Sequence, residues 1–384
     1  MKLDYDYIIC GAGGSGLSLA FRLAHEEFHK YKVLLIDKAD KQTDDRTWSI
    51  WTKGDGPFDH LAEKSWNKIL FRNDEIEKEM EIAPYRYIKI KGIDFYNFTL
   101  DKIRSAPNIT FLQDEIAEID VRSQSPSVKT TMSGEFKAKW IFNSILRVDI
   151  DKSKYNYVDQ HFKGWFIKTD TKAFNPEVAT FMDFSIDQKG ECRFMYVLPT
   201  STREALVEIA IFSNNILEQS AYDEILEKYI NDDLKISSYD IEDKEFAIIP
   251  MTTYPFERAN KPGITYIGTA GAAAKGSTGY AFLHIQDQVD LLISKIRDGK
   301  EPTIPNSFYD NKYRWYDNVL LNVLLKNRMP IGKVFGDMFK KLPTPLMLKF
   351  LSNKTTLLED LRILSTPKYL PFIKAALNEF WKTK

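Results

Sequence analysis

The stretch that most limits the fold lies in the first forty residues. Tyr5-Asp6-Tyr7-Ile8-Ile9-Cys10 reads as a buried strand and runs directly into Gly11-Ala12-Gly13-Gly14-Ser15-Gly16. Leu17–Ala24 leaves that loop with helical spacing, Val33–Ile36 reads as a second strand, and Asp37 ends it 21 residues after Gly16. Strand, Gly-x-Gly-x-x-Gly, helix, strand, acid is the full ordered context of a dinucleotide site, which is far more specific than the glycines alone. Each part has a physical task. Gly11 permits the tight turn. Gly13, with no Cβ, lets backbone N–H groups approach a pyrophosphate, Ala12 sits between the two, and Gly16 lets the helix pack close to the sheet. The helix start offers unpaired N–H groups and the positive end of its dipole to phosphate. Asp37 is placed to accept hydrogen bonds from ribose hydroxyls.

A second segment of similar character lies nearly 250 residues later. Gly263–Gly271 reads as a strand ending in the small residues Gly268-Thr269-Ala270-Gly271. Lys275-Gly276-Ser277-Thr278-Gly279-Tyr280 then opens a helix with apolar positions Phe282, Ile285, Val289 and Ile293. A small-residue strand end feeding a glycine-started helix is again a place where backbone can touch a cofactor. Two such segments imply a long cofactor gripped at both ends, which favours FAD over a nicotinamide nucleotide.

Between them the pattern changes. Residues 66–100 alternate polar and apolar, a helix starts near Asp94, and Ile109–Leu112 and Lys139–Ser144 read as further strands of the first unit. Residues 160–250 read as a second, hairpin-spaced sheet, with strands at Gly164–Thr169, Thr180–Ile186, Cys192–Leu198, Leu206–Phe212 and Glu245–Ile249, and a helix at Tyr222–Ile230. From about residue 305 the chain turns helical. The expected fold is therefore α/β, with a Rossmann-like FAD-binding domain interleaved with a mainly antiparallel substrate sheet and a helical C-terminal region. The expected units are 1–50 plus 94–150 plus 262–300, then 51–93 plus 151–261, then 301–384.

Charge and cysteine content exclude several classes. Lys and Arg total 53 against 54 Asp and Glu, so bulk charge makes no case for nucleic acid. The two cysteines, Cys10 and Cys192, form no spaced set, so no disulfide framework or metal site is expected. The N-terminal residues carry acids where a signal peptide needs an apolar core, and no uncharged apolar run approaches transmembrane length. A cytoplasmic protein, soluble or peripheral to a membrane, is expected. Lys326, Arg328, Lys333, Lys340, Lys341 and Lys349 face a single acid, Asp337, over Lys326–Phe350, which would suit contact with anionic lipid, chiefly through Lys333, Lys340 and Lys341.

Several further segments sit in order along nearly the whole chain: Asp45-Arg46-Thr47-Trp48-Ser49-Ile50-Trp51, Tyr85-Arg86-Tyr87, Gly92-Ile93-Asp94-Phe95-Tyr96, Gln160–Trp165, Ala179–Phe184, Phe194–Pro199, Leu206-Val207-Glu208-Ile209-Ala210, and Ile249-Pro250-Met251. Together with both glycine segments, these resemble the bacterial-type, flavin-dependent lycopene β-cyclases. The resemblance implies a non-redox cyclisation of the linear ψ ends of lycopene to β-ionone rings, through γ-carotene to β-carotene. It implies FAD in its reduced form, with NAD(P)H as the electron donor, and a lipid bilayer surface as the place where substrate is met. It assigns cofactor contact to Gly11, Ala12, Gly13, Gly16, Asp37, Arg46, Gly268, Thr269, Ala270, Gly271, Thr278 and Gly279. Glu208 inherits the role of catalytic acid, and flanking Val207 and Ile209 would push its carboxyl toward the neutral form. Trp48, Trp51, Trp165 and Tyr196 are expected to wall the substrate pocket, where their π faces could meet a carbocation.

Two departures stand out. Plant members carry two adjacent acids where Glu208 is followed by Ile209, and Asn143 stands where relatives often have Asp. The alternative from a different chemistry is an FAD-dependent isoprenoid reductase or monooxygenase, which would consume NADPH in step with product.

Overall fold

The computed structural model describes residues 3–54, 56–121, 125–147, 150–256, 261–305 and 308–382, the side chains of 308–310 excepted. Its elements run β1 (Tyr5–Cys10), α1 (Gly14–Leu23), β2 (Val33–Asp37), β3 (Thr47–Thr52), β4 (Lys64–Trp66), β5 (Lys68–Arg72), β6 (Glu77–Glu81), β7 (Arg86–Lys91), α2 (Gly92–Ser105), β8 (Ile109–Gln113), β9 (Ile116–Asp120), β10 (Ser127–Thr130) and β11 (Glu135–Asn143). They continue β12 (Tyr157–Lys168), β13 (Val178–Asp183), β14 (Cys192–Pro199), β15 (Glu204–Phe212), α3 (Gln219–Lys228), β16 (Asp240–Thr252), β17 (Ile264–Tyr266) and α4 (Phe282–Arg297). The C-terminal helices are α5 (Phe308–Leu325), α6 (Ile331–Lys341), α7 (Thr344–Leu351), α8 (Leu357–Leu364) and α9 (Tyr369–Lys382).

The first sheet has the order β8-β2-β1-β11, with β17 on β11 and the β10-β9 hairpin continuing past it. β1, β2, β8, β11 and β17 are parallel, as the Val- and Ile-rich runs buried on both faces require. α1 and α4 pack on this sheet through Leu17, Leu19, Val289 and Leu292, all fully buried. The strand order reverses direction between β1 and β11. In an open α/β sheet the crevice beyond the strand ends at that point is where ligands bind. Here it opens beside Cys10 and Asn143, where the Ser144 hydroxyl donates to the Cys10 carbonyl at 2.8 Å. Asn143 itself closes the strand end, with its side-chain oxygen accepting from the Ile145 N–H at 2.9 Å and its carbonyl accepting from Ile267.

The second sheet has the order β16-β12-β15-β14-β13-β5-β6 and is antiparallel except where β5 meets β13. Its two faces bury different partners, following the two-residue alternation of each strand. On β15, Val207, Ile209 and Ile211 pack toward α3 with Tyr222 and Leu226. Leu206 and Ala210 point the other way, into a core shared with Phe335 and Phe339 of α6 and Met347 of α7. Residues 51–93 divide between two places: β5 and β6 edge this sheet, whereas β4 and β7 join β3 in a separate three-stranded sheet. Pro330 and Pro343 stand immediately before α6 and α7, where a missing N–H costs least. Among the described residues, no helix is long and apolar enough to cross a membrane.

Candidate active site

The glycine loop is held by contacts that leave no room for larger residues. A Cβ on Gly16 would lie 1.8 Å from the Gly11 carbonyl oxygen, and Gly11 itself takes φ +94°. Asp37 binds back onto this loop: one oxygen accepts from the Ala12 N–H at 2.5 Å and the other from Ala39 at 2.8 Å, with the Lys41 ammonium 3.3 Å away. Gly11, Ala12, Gly16 and Asp37 thus shape the turn. Gly13, Gly14 and Ser15 line a cavity of about 810 Å³, and a Cβ on Gly13 would meet nothing within 4 Å.

That cavity runs from the glycine loop to the second sheet. Of the expected cofactor residues, Gly13, Arg46, Gly268, Thr269, Thr278 and Gly279 line it. Arg46 is held at its rim by Asp45, its Nη2 donating at 2.7 Å, while the Tyr96 hydroxyl donates to Asp45 at 2.6 Å. Ala270 is buried in the core, and Gly271 borders a second cavity of about 430 Å³. Both sit in the short turn Gly268–Gly271, which curls away after Thr269, so only its first two residues reach the main cavity.

Polar groups left without partners concentrate here. Seven buried side-chain atoms lack a hydrogen bond among the described residues, and four of them belong to cavity-lining residues: Ser15 Oγ, Gln160 Oε1, Thr278 Oγ1 and the Tyr280 hydroxyl. An orphaned buried polar group costs about 1–3 kcal/mol, so such a cluster marks a place built for a polar ligand. The start of α1 adds to it, since its N-cap is Gly13 and no side chain caps it. Both sets of groups fit the phosphates and ring edges of a dinucleotide.

Two aromatic residues cover the loop side. Trp48 packs over Gly14, where a Cβ would lie 3.4 Å from its ring, and Trp51 donates from Nε1 to Ser352 Oγ at 2.6 Å. The Trp51 ring meets Tyr280 edge-on at 4.7 Å. Trp48, Trp51 and Tyr196 all line the cavity as expected, but Trp165 does not. It stands one residue from Gly164 on β12 and so faces the opposite side of the sheet, donating to Asp223 at 3.1 Å and packing with the α3 core.

The far end of the cavity holds two carboxyl groups. Gly164 on β12 is directly opposite Glu208 on β15 and, on its other side, directly opposite Glu245 on β16. A Cβ at Gly164 would lie 3.2 Å from Glu208 Oε2, 3.2 Å from Glu245 Cγ and 2.7 Å from Leu206 Cδ1. The absent side chain is what lets the two carboxyls meet across the central strand, where they hydrogen-bond to each other and both line the cavity. Burial is the main force raising the Glu208 pKa well above the usual carboxyl range, and the charge and hydrogen bond of Glu245 add to it. Burial raises Glu245 as well, but hydrogen bonds from Glu208 and Thr47 and the nearby Lys89 charge hold it back. Two like charges side by side away from water oppose each other, so the pair favours holding a proton.

Glu245 escapes sequence reasoning because it opens the expected strand Glu245–Ile249 directly behind the charged run Asp240-Ile241-Glu242-Asp243-Lys244, where nothing local marks it as buried. The signal was Gly164, a glycine in mid-strand, which marks a close approach of neighbours. Tyr280, Tyr196 and Tyr87 cluster beside Glu208, and burial holds all three hydroxyls in the neutral form. His284 lines both cavities, and burial together with Lys275 and Lys354 pushes its pKa down to about 3, leaving it an uncharged ring.

The profile of the family described as lycopene cyclase protein matches residues 6–377. Among curated proteins no sequence matches this chain. Solved structures share its fold at low identity. A flavoprotein/dehydrogenase from Cytophaga hutchinsonii is 12% identical, covers 99% of this chain and 100% of its own, and superposes with a TM-score of 0.64. A flavin-dependent brominase is 13% identical over 99% and 100% of the two chains with a TM-score of 0.63. A geranylgeranyl bacteriochlorophyll reductase-like protein from Thermoplasma acidophilum is 12% identical over 98% and 99%, with a TM-score of 0.60.

Proposed function

The chain belongs to the lycopene cyclase protein family, and from that premise we propose that it is a lycopene β-cyclase, closing the linear ψ ends of lycopene into β-ionone rings by way of γ-carotene. The observation that carries this reading is the Glu208–Glu245 pair, set side by side across Gly164 in the wall of a cavity that begins at the glycine loop. Protonating an isolated carbon–carbon double bond needs a neutral acid, and a solvated carboxylate would be ionised at pH 7. Glu208, kept neutral by burial and by its partner, meets that need.

The residues then act in sequence. Glu208 gives its proton to the terminal double bond, leaving a tertiary carbocation on the substrate. The neighbouring double bond supplies the electron pair that closes the six-membered ring and moves the positive charge into it. Loss of one ring proton to the carboxylate pair forms the ring double bond and restores the starting state. One proton enters and one leaves, so the formula does not change. Trp48, Trp51 and Tyr280 offer aromatic faces to the cation, worth roughly 0.5–2 kcal/mol each. The apolar wall keeps water from trapping the cation as an alcohol.

FAD is the cofactor that fits the orphaned hydroxyls of Ser15 and Thr278 and the uncapped start of α1. Bound and reduced, it would supply negative charge that favours a nearby cation, with NAD(P)H serving only to keep it reduced. Gly13, Ser15, Gly268 and Thr278 would hold it, with Arg46 at the rim.

The test is pigment chromatography from a lycopene-accumulating host expressing the wild type, Glu208→Gln and Glu245→Gln. Wild-type γ- and β-carotene with lycopene retained by Glu208→Gln supports the reading. Unchanged lycopene from a folded, flavin-loaded wild type overturns it, and NADPH consumption in step with a reduced or hydroxylated product would move the assignment to isoprenoid redox chemistry.

A further inference from the structure

α8 and α9 carry large apolar side chains on their outward faces as well as in the core. Of the seventeen large apolar side chains that the described residues expose, ten lie between Leu357 and Trp381. They follow helical spacing on both helices. On α8 they are Leu357, Leu358, Leu361 and Leu364, and on α9 Leu370, Ile373 and Leu377, with Tyr369, Phe380 and Trp381 at its two ends. Leu358 is 80% exposed and Leu361 66% exposed, values typical of surface lysines rather than leucines. The inward faces carry two acids beside the buried Ile363 and Ala375. Asp360 is buried against the Lys312 ammonium at 2.7 Å, and Glu379 accepts from Asn322 at 2.6 Å. Core packing does not account for the outward leucines and isoleucine. A folded monomer rarely exposes an apolar patch of this extent without something to cover it.

The charge pattern around the patch selects the occupant. The acids of these two helices all engage partners within the protein, since Glu359 is bonded to Lys349 at 2.7 Å. The basic residues Arg362, Lys368 and Lys374 all point to solvent. A face of leucines and isoleucines ended by Tyr and Trp and ringed by basic side chains is complementary to the boundary between anionic headgroups and acyl chains. The lysines of α6 are less available: Lys333 is bonded to Glu75, and Lys341 donates to the Thr366 carbonyl at 2.5 Å. α8 begins five residues after Ser352, which lines the cavity with Leu351.

We propose that the outward faces of α8 and α9 dock this chain on an anionic lipid bilayer, the apolar residues entering the acyl boundary and the basic ones meeting the headgroups. That the bilayer is also the source of the substrate rests on the cyclase reading; the docking face does not.

The test is flotation of the FAD-loaded protein with phosphatidylcholine vesicles, with and without about 30% phosphatidylglycerol. The wild type is expected to float with the anionic vesicles. The triple variant Leu358→Glu, Leu361→Glu, Leu370→Glu is expected to lose at least tenfold in bound fraction, with unchanged flavin absorbance and unfolding midpoint. Lys333→Glu with Lys340→Glu is expected to float like the wild type. A wild type that stays unbound, or a triple variant that floats equally well, overturns the proposal. So does a wild-type dimer in light scattering that the triple variant converts to monomer, since the face would then belong to a second copy. Lycopene dispersed in detergent micelles separates the two readings: the triple variant should cyclise it at the wild-type rate, and a wild type that binds vesicles but cyclises nothing refutes only the cyclase.

Discussion

Gly164→Ala probes the carboxyl pair without touching either carboxyl. Gly164 does not adopt positive φ, so alanine meets no backbone strain there. The new methyl would lie 2.7 Å from Leu206 Cδ1, a flexible terminus that can swing aside, so the stability cost falls near the low end of the ~1–3 kcal/mol typical of overpacking. It would also lie 3.2 Å from both Glu208 Oε2 and Glu245 Cγ, and moving either weakens the bond between them. A hydrogen bond to a charged group is worth about 1.5–3 kcal/mol. At ~1.4 kcal/mol per tenfold in rate, losing it lowers turnover roughly 10- to 100-fold. The assay is β-carotene formation from lycopene under a fixed reductant, read beside the unfolding midpoint. The expected result is a large loss of rate with a shift of only a few degrees. Wild-type turnover and pH dependence in a stably folded Gly164→Ala protein would refute the argument that the paired carboxyls set the acid.

Other outcomes follow from the same geometry. In Glu245→Gln the negative charge that helps hold the Glu208 proton is gone, so the alkaline fall of activity should begin at lower pH than in the wild type, which a pH–rate profile reads directly. Stability should move as well. Both acids have raised folded pKa values, so the folded chain binds more protons than the unfolded one above the usual carboxyl range, and stability falls as pH rises through it. Denaturant midpoints of Glu208→Gln should therefore decline less with pH than those of the wild type. Gly16→Ala puts a methyl 1.8 Å from backbone, so purified protein should carry far less flavin absorbance. Lys275→Met leaves Asp317, now 2.6 Å from the ammonium, buried and uncompensated; about 3–5 kcal/mol of stability should be lost in urea titration.

The glycine loop could be read from the chain because every element of it is local: strand, turn, helix and second strand lie within forty residues. The same holds for α4 to α7, whose apolar spacing and prolines lie in contiguous sequence. Trp165 shows where such reading stops. Alternation says that Gly164 and Trp165 face opposite ways, but which of them faces the cavity depends on register with β15 and β16, whose residues opposite Gly164 lie 44 and 81 positions further along the chain. Glu208 could be found only through its likeness to a family. Glu245 could not, because its burial comes from pairing across β12 rather than from its own charged neighbours. β16 begins at Asp240 rather than Glu245 for the same reason: the long β12 supplies backbone partners along its whole length, whatever side chains β16 carries.

The place of β17 constrains how the chain can be made. β11 ends at Asn143, and the strand that covers its open side begins only at Ile264. A growing chain therefore emits about 120 residues, including most of the second sheet, before that side of the first sheet is paired. Throughout that interval the Ile141–Asn143 edge, rich in apolar side chains, presents free N–H and C=O groups, the condition under which strands recruit a wrong neighbour. Yield in a foreign host should accordingly depend on translation speed and on chaperones that cover the incomplete edge, and a chain cut after residue 262 should aggregate even though its glycine loop is whole.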